Sequence, residues 1–262
     1  MLHVLAVLPA AVLLIWIGHK DKIEKEPFGL LVKLFLLGAL TTVSAVILGT
    51  ILENIFGIFL DPESLPGILA DNFLSVALIE EGGKYFVLKK KTWNHPAFNY
   101  TFDAVVYAVT VSLGFATLEN ILYLSGGTLN LAIMRGILAV PGHAIDAVFM
   151  GYYYGLAKHC DAVGDKAGCR SNLHRALLVP MLLHGFYDFT LSMESDLYIG
   201  IFFVFEVIIT ITAFKKVNRL SREDAPIAPV PDLTVQNFNL PPYNPTNSFD
   251  PNDPNNPNRW GQ

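Results

Sequence analysis

The stretch ALIEEGGKYFVLKKK, residues 77–91, decides whether this chain folds in water or in a membrane. It places Glu80, Glu81 and Lys84 inside a run that is otherwise apolar enough to lie in lipid. A charged side chain in hydrocarbon is costly, so it is retained there when it has a partner or a task. The stretch is therefore either part of a soluble protein or a working site within a membrane, and the rest of the chain decides between the two.

The composition favours a membrane protein. Of the 262 residues, 52% are hydrophobic and only 16% are charged, whereas a soluble domain carries about 25% charged residues. The mean hydropathy is +0.43. The formal net charge of -5 is small and no basic block is present, so we expect no nucleic-acid partner. Two cysteines are too few for a disulfide framework.

About seven apolar runs have the length of roughly 20 residues that one helix needs to cross a bilayer. They lie at 2–18, 30–52, 72–91, 104–124, 136–157, 173–193 and 197–214. We therefore predict an all-α fold, a polytopic helix bundle in the lipid bilayer. Lysines and arginines are concentrated in alternate loops and after the last run, and the intervening loops carry only Arg135, at an edge. The positive-inside rule then places the N-terminus outside and the C-terminus in the cytoplasm.

The chain divides into two parts by composition. Residues 1–222 contain all the apolar runs and are predicted to form the helix bundle. Residues 223–262 are rich in proline and asparagine and poor in apolar side chains. Such a segment cannot bury enough surface to offset the entropy of ordering it, so a disordered cytoplasmic tail is expected.

Polar side chains inside the predicted spans are few and share one layer. The relevant residues are Glu80, Glu81, Lys84, Glu119, Asn120, His143, Asp146, His184 and Asp188. Four of the predicted helices each place a glutamate or a histidine roughly 7–14 Å below the outer surface, at about 1.5 Å of rise per residue. Lys84 follows Glu80 by four residues. Asp188 follows His184 by the same interval, so each pair shares a helix face.

This layer suits the activation of water, by either of two routes. In one route, His143 and His184 bind Zn²⁺ together with a carboxylate, for which Glu119 is the candidate, while another glutamate acts as general base. In the other route no metal takes part: a glutamate activates water and the histidines donate to the developing oxyanion. The sequence leaves both routes open.

Three other roles compete with hydrolysis. The same polar layer could conduct protons or metal ions in a transporter or channel. Transporters of that kind often show inverted repeats, and no repeat is evident here. Alternatively, the chain could be a non-catalytic scaffold, or the polar groups could be hydrogen-bonding residues between helices.

Four short motifs in order resemble those of the PrsW family, multi-span intramembrane proteases related to the CAAX-protease and bacteriocin-processing superfamily. They are EEGGK (80–84), FATLEN (115–120), the histidine of GHAIDA (142–147) and HGFYD (184–188). The family pattern is EExxK, then FxxxE, then a histidine motif, then HxxxD. The matches span about residues 70–190, and each lies in its own predicted helix.

The resemblance implies hydrolysis of peptide bonds. It assigns the catalytic or ligand set as Glu80, Glu81, Glu119, His143 and His184, with Lys84, Asn120 and Asp188 in support. It further implies a multi-pass protein of a prokaryotic plasma membrane that acts on a single-span membrane substrate. Members of this family resemble site-1 proteases that cut an anti-sigma factor outside the membrane.

Overall fold

The computed structural model describes residues 2–125 and 127–227, and the regular elements in these residues are helical. In chain order the helices are α1 (Leu2–Lys20), α2 (Phe28–Phe59), α3 (Leu65–Ala70), a π-helical segment (Asp71–Ala77), α4 (Leu78–Thr92), α5 (Asp103–Leu124), α6 (Leu129–Ile137), α7 (Ala139–Ala162), α8 (Lys166–Ser192) and α9 (Asp196–Arg222). The predicted all-α membrane bundle is confirmed, and each of the seven predicted spans coincides with helical structure.

Within the described residues, four helical stretches are long and apolar enough, by length and composition, to cross a membrane. They are Phe28–Phe59, Asp103–Leu124, Leu129–Ala162 and Asp196–Arg222. The apolar part of α1 is shorter, from Ala6 to Lys20. The helix α4 has only 15 residues and ends in Lys89, Lys90 and Lys91. The orientation relative to the two sides of the membrane stays a prediction.

The third predicted span departs most from the expected course. Its helical structure begins at Leu65, where the Ser64 hydroxyl caps α3 by accepting a hydrogen bond from the Gly67 N–H at 3.2 Å. The chain then continues through the π-helical segment directly into α4. Gly82 and Gly83 lie within regular α-helix, and the irregular stretch precedes them. A π-helical turn is wider than an α-helical one, so it changes the face that later residues present.

The central helix is α5, which is buried along most of its length. Glycines let α2 approach it closely, because a Cβ at Gly38 would lie 2.0 Å from the Val111 carbonyl oxygen. On the other helix, a Cβ at Gly114 would lie 2.0 Å from the Phe35 carbonyl oxygen. This reciprocal contact of small residues is typical of helix pairs within membranes. It fixes the position of α5, which carries the FATLEN motif, against α2.

The fifth predicted span begins differently from expectation. Pro141 and Gly142 lie inside the first turns of α7, and the helix is interrupted before them, at Leu138. Proline is tolerated in the first turn of a helix, where its missing N–H has no helical partner. The break separates the short α6 from α7 and lets α6 turn its own face toward the polar layer.

The opposite end of the bundle holds the first residues of the predicted tail. The Thr101 N–H donates to the Ala225 carbonyl at 3.0 Å, and the Ile227 N–H donates to the Asn99 carbonyl at 2.8 Å. These contacts fasten the chain after α9 to the loop between α4 and α5. The remainder of the predicted tail, 228–262, lies outside the described residues, and the division into a bundle and a tail stays a prediction.

Candidate active site

The motifs of α4, α5, α7 and α8 meet at one buried point of the bundle. At its centre is the Lys84 ammonium, which donates to Glu81 Oε1 at 2.7 Å and to His143 Nδ1 at 3.1 Å. It also lies 3.5 Å from Glu80 Oε2 and 4.0 Å from the centre of the Phe115 ring. Because an ammonium only donates, His143 Nδ1 accepts, and its ring proton resides on Nε2.

The two histidines present equivalent atoms to this point. His184 Nδ1 lies 2.9 Å from Glu81 Oε1, and the two imidazole rings stand nearly perpendicular with centres 5.2 Å apart. His184 Nδ1 therefore meets the Glu81 carboxylate, and His143 Nδ1 meets the Lys84 ammonium that the same carboxylate binds. Their Nε2 atoms point outward from the same centre, where each meets another carboxylate.

Those outer carboxylates are Glu119 and Asp188. His143 Nε2 donates to Glu119 Oε2 at 3.0 Å, and His184 Nε2 lies 3.2 Å from Asp188 Oδ2. A carboxylate behind a histidine fixes the orientation of the ring and raises its basicity as a metal ligand. The Ser112 hydroxyl also donates to the backbone carbonyl of His143 at 2.8 Å, which links α5 to α7. The pairing of His184 with Asp188 is the one expected from their spacing.

One residue of the site was not singled out from the sequence. Arg135, on α6, donates to Glu119 Oε2 at 2.6 Å and from Nε to Asn120 Oδ1 at 2.7 Å, and its guanidinium lies 3.8 Å from the centre of the Tyr123 ring. The only sequence signal was its isolation as the single basic residue of the outer loops. The structure pairs Glu119 with Arg135 and His143, whereas the Lys84 ammonium binds Glu81.

A cavity of about 310 Å³ opens onto the site between α5, α6, α7 and α8. Among the residues that line it, those with ionisable side chains are Glu80, Glu119, Tyr123, Arg135, His143, Asp146, His184, Tyr187 and Asp188. Glu81 and Lys84 do not line this cavity, and their side chains are 0% and 1% exposed. Glu80, at 13% exposed, is therefore the glutamate of the pair that a substrate can reach.

The donor set suits a divalent cation. Glu80, Glu81, His143 and His184 each offer one ligand atom, and these atoms lie within 4.8 Å of one another. The second oxygen of Glu81, Oε2, is buried and accepts no hydrogen bond from the residues that the structure describes. Imidazole nitrogen and carboxylate oxygen are the ligands that zinc takes in catalytic sites. The Lys84 ammonium occupies the same donor atoms, so it and a metal ion compete for them.

Glu119, which the sequence had offered as a metal ligand, does not belong to this group of four. Its carboxylate lies behind His143 on the Nε2 side and is also bound by Arg135. The geometry thus places Glu119 where it orients a histidine, and it places Glu81 where a ligand would stand. The sequence could not distinguish the positions of Glu81 and Glu119, because both glutamates fall in the same predicted layer of the membrane.

Comparison with known proteins agrees with this geometry. The family model described as PrsW family intramembrane metalloprotease matches residues 26–214. The chain is 34% identical to Protease PrsW of Clostridioides difficile (strain 630), over 79% of this chain and 86% of that protein. It is 38% identical to Protease PrsW of Geobacillus kaustophilus (strain HTA426), over 75% of this chain and 83% of that protein. It is 37% identical to Protease PrsW of Bacillus subtilis (strain 168), over 72% of this chain and 81% of that protein. No solved structure matches the chain.

The family match covers all four motifs, and the alignments with the three relatives cover most of the length of each. Relatives named as proteases confirm the predicted peptidase activity and favour it over the transporter alternative. The description of the family as metalloproteases agrees with a group of donors that can hold a metal. The chain belongs to the PrsW family of intramembrane metalloproteases.

Proposed function

We propose that this protein cuts a single-span membrane protein near the outer face of the plasma membrane, in the manner of a site-1 protease acting on an anti-sigma factor. The bacterial origin of the relatives supports a prokaryotic plasma membrane, and the substrate class follows from the family resemblance. Glu119 lies five residues before the end of α5 and His143 four residues after the start of α7, so both are about 6–8 Å from helix ends that the charge pattern assigns to the outside.

We further propose that Glu81, His143 and His184 hold Zn²⁺. The observation that carries this proposal is the grouping of one donor atom from each of Glu81, His143 and His184 within 4.8 Å, each ring being backed at Nε2 by a separate carboxylate. Zn²⁺ held there supplies Lewis acidity, which polarises the scissile carbonyl and makes water acidic enough to attack it. Glu119 and Asp188 then act as positioning residues, because they fix the two imidazole rings.

Glu80 is the general base in this proposal. It lines the cavity, its Oε2 accepts no hydrogen bond from described residues, and it lies 3.8 Å from His184 Nε2. A carboxylate in this position takes the proton of the attacking water and returns it to the amine nitrogen of the leaving peptide. Glu81 is fully buried and outside the cavity, so it is a poorer candidate for proton transfer to a substrate.

The test combines metal content with peptide cleavage on detergent-purified protein. Wild type is compared with Glu80→Gln, Glu81→Gln and His184→Ala, and with Asp196→Asn as a control outside the site. We expect near-stoichiometric zinc in wild type, in Glu80→Gln and in the control, and loss of zinc in Glu81→Gln and His184→Ala. Cleavage of a single-span substrate should fall at least about 1,000-fold in all three site variants.

Two outcomes would contradict parts of the proposal. Cleavage that persists without metal and resists chelators would establish the alternative route, in which a glutamate activates water and no metal takes part. Retention of both metal and activity in Glu81→Gln and His184→Ala would show that the ligands lie elsewhere. Membrane insertion of each variant is checked by recovery in the membrane fraction.

A further inference from the structure

Three cavities follow one another from the outer end of the bundle to the site. The first, the outer vestibule, has a volume of about 900 Å³ and lies between the ends of α2 and α8 and the start of the third span. The second, the entry groove, has about 300 Å³ and lies between α2, the π-helical segment and α5. Glu53 and Asp71 line both of these cavities. The entry groove and the site cavity share Glu80 and Glu119, so each of the three cavities adjoins the next.

The entry groove has the dimensions of a short extended peptide. Its wall on α2 runs from Thr42 to Glu53, eleven residues apart, or about 16 Å along a helix. An extended chain advances about 3.3 Å per residue, so about five residues fit between the vestibule and the site. The groove approaches Glu80 from the side of α2, and the site cavity approaches it from the side of α7 and α8. A peptide that passes Glu80 would thus have one cavity for each side of its scissile bond.

Two buried oxygen atoms along this groove form no hydrogen bond with the described residues, although one of them lies 3.5 Å from the Lys84 ammonium. They are the hydroxyl oxygen of Ser75, a residue 2% exposed, and Oε2 of Glu80. Both residues line the groove. Buried oxygens without a partner are rare in folded proteins, since leaving one unpaired costs about 1–3 kcal/mol. The N–H groups of an extended peptide are donors of the kind that these oxygens lack.

The vestibule and the outer half of the groove are acidic. Glu53, Glu63, Asp71 and Glu194 line the vestibule. Within the described residues, no lysine or arginine lines either the vestibule or the groove. A cleft that carries charge of one sign attracts ligands of the opposite sign. The path therefore favours a segment with positive side chains over an acidic one.

We propose that the outer flank of the substrate enters through the vestibule and groove as an extended segment, with a lysine or arginine side chain between Glu53 and Asp71. This inference rests on the proposed function and adds a specificity to it. The basic side chain pairs with the two carboxylates while the backbone continues toward Glu80, which places the scissile bond about five residues from the basic residue. Glu53 and Asp71 are then specificity-determining residues and take no part in the chemistry.

The charge preference is tested by binding of synthetic single-span peptides to the wild-type protein in nanodiscs. The peptides share one apolar span of about 20 residues and differ in an outer flank that contains two lysines, two glutamates or two glutamines. We expect the lysine-flanked peptide to bind about tenfold more tightly than the glutamate-flanked one. The preference should fall to less than about twofold in Glu53→Gln/Asp71→Asn and should stay unchanged in Asp196→Asn. Equal affinity for all three flanks in wild type, or no binding of the lysine-flanked peptide, overturns the proposal.

The position of the bound peptide is tested separately by crosslinking. This test does not depend on correct folding of the Glu53→Gln/Asp71→Asn variant. A photo-crosslinking amino acid replaces Thr50, which lines the groove, or Leu48, which is 49% exposed on another face of α2. We expect the lysine flank to crosslink to position 50 and not to position 48. Crosslinking of equal yield at both positions overturns the assigned path.

Mass spectrometry of the same peptides separates this inference from the proposed function. Cleavage without any preference for the lysine flank refutes the acidic path and leaves the proteolytic site standing. Selective binding of the lysine flank in the groove, with no peptide cleaved by a metal-loaded protein, supports the path and counts against the proposed proteolysis.

Discussion

At the scale of single residues, the site is a series of polar contacts that connects four helices. Arg135 binds Glu119, Glu119 binds His143, and His143 accepts from Lys84. Each contact supplies a partner for a group that would otherwise be an isolated charge in a membrane protein. The pairing explains how several carboxylates can share one small volume, and it leaves Oε2 of Glu80, which lines the cavity, without a hydrogen bond from the described residues.

Replacement of Arg135 tests the first contact of this series, between Arg135 and Glu119. Arg135→Met leaves the Glu119 carboxylate, which is 15% exposed, without its cation. We expect a loss of about 1–3 kcal/mol in the free energy of unfolding, measured by denaturation in detergent. The double variant Arg135→Met/Glu119→Gln should lose less than the sum of the two single variants, because the neutral amide needs no cation. Additive losses would show that the ion pair does not stabilise the fold.

Glu26 gives a pH-dependent prediction outside the membrane-spanning segments. Burial, against the opposing hydrogen bond from the Tyr107 hydroxyl and with the help of the neighbouring Asp103, raises the pKa of Glu26 from 4.5 to about 9. The folded protein therefore keeps a proton that the unfolded chain releases above about pH 4.5. Its contribution to stability is fully present below that pH and is lost as the pH rises toward 9.

The variant Glu26→Gln carries a neutral amide at every pH. Its thermal midpoint should fall less between pH 5 and pH 9 than that of wild type, measured in the same detergent. Parallel curves for the two proteins would show that Glu26 is ionised in the folded state.

At the scale of helices, close packing between α2 and α5 positions the second motif. The contact depends on two glycines whose missing side chains make room for backbone carbonyls of the facing helix. Elsewhere the π-helical segment carries Phe73, whose ring would lie 2.4 Å from a Cβ at Gly185, the residue after His184. Small residues beside the motifs thus decide how near the helices come, and helix spacing sets the distances between the polar groups.

Gly114→Ala should therefore destabilise the bundle. Its Cβ would lie 2.0 Å from the Phe35 carbonyl oxygen, which is backbone and cannot turn aside. Overpacking of this kind costs about 1–3 kcal/mol, and we expect cleavage to fall as well because Glu119 would shift with α5. Gly200→Ala, where no atom lies within 4 Å, is the matched control and should be neutral or slightly stabilising. Equal midpoints for Gly114→Ala and wild type would refute the tight contact.

At the scale of the whole molecule, the charge pattern predicts which end of the bundle faces the cytoplasm. The acidic vestibule and the site lie toward the same end, and Lys89, Lys90 and Lys91 lie at the other end of α4. If the positive-inside rule holds, the site opens to the outside of the cell, where an extracytoplasmic substrate segment would meet it.

Cysteine labelling tests this orientation. In a background with Cys160 and Cys169 replaced by serine, Asp61→Cys lies in the loop after α2 and Lys90→Cys near the end of α4. An impermeant maleimide should label position 61 in intact cells, and it should label position 90 only after the cells are permeabilised. The reverse pattern would place the site on the cytoplasmic side and would contradict the proposed site-1 role.

The sequence by itself determined the membrane class, the seven helical spans and the four motifs, because hydropathy and residue spacing are local properties that survive without tertiary contacts. It also placed the polar groups in one layer, since depth follows from position along a helix.

Only the tertiary structure decided how these groups pair. That His184 meets Glu81, 103 residues away, and that Arg135 rather than Lys84 binds Glu119, depends on helix rotation and spacing. The π-helical segment and the glycine contacts set that rotation and spacing. Both arise from packing between distant parts of the chain, which no local pattern specifies.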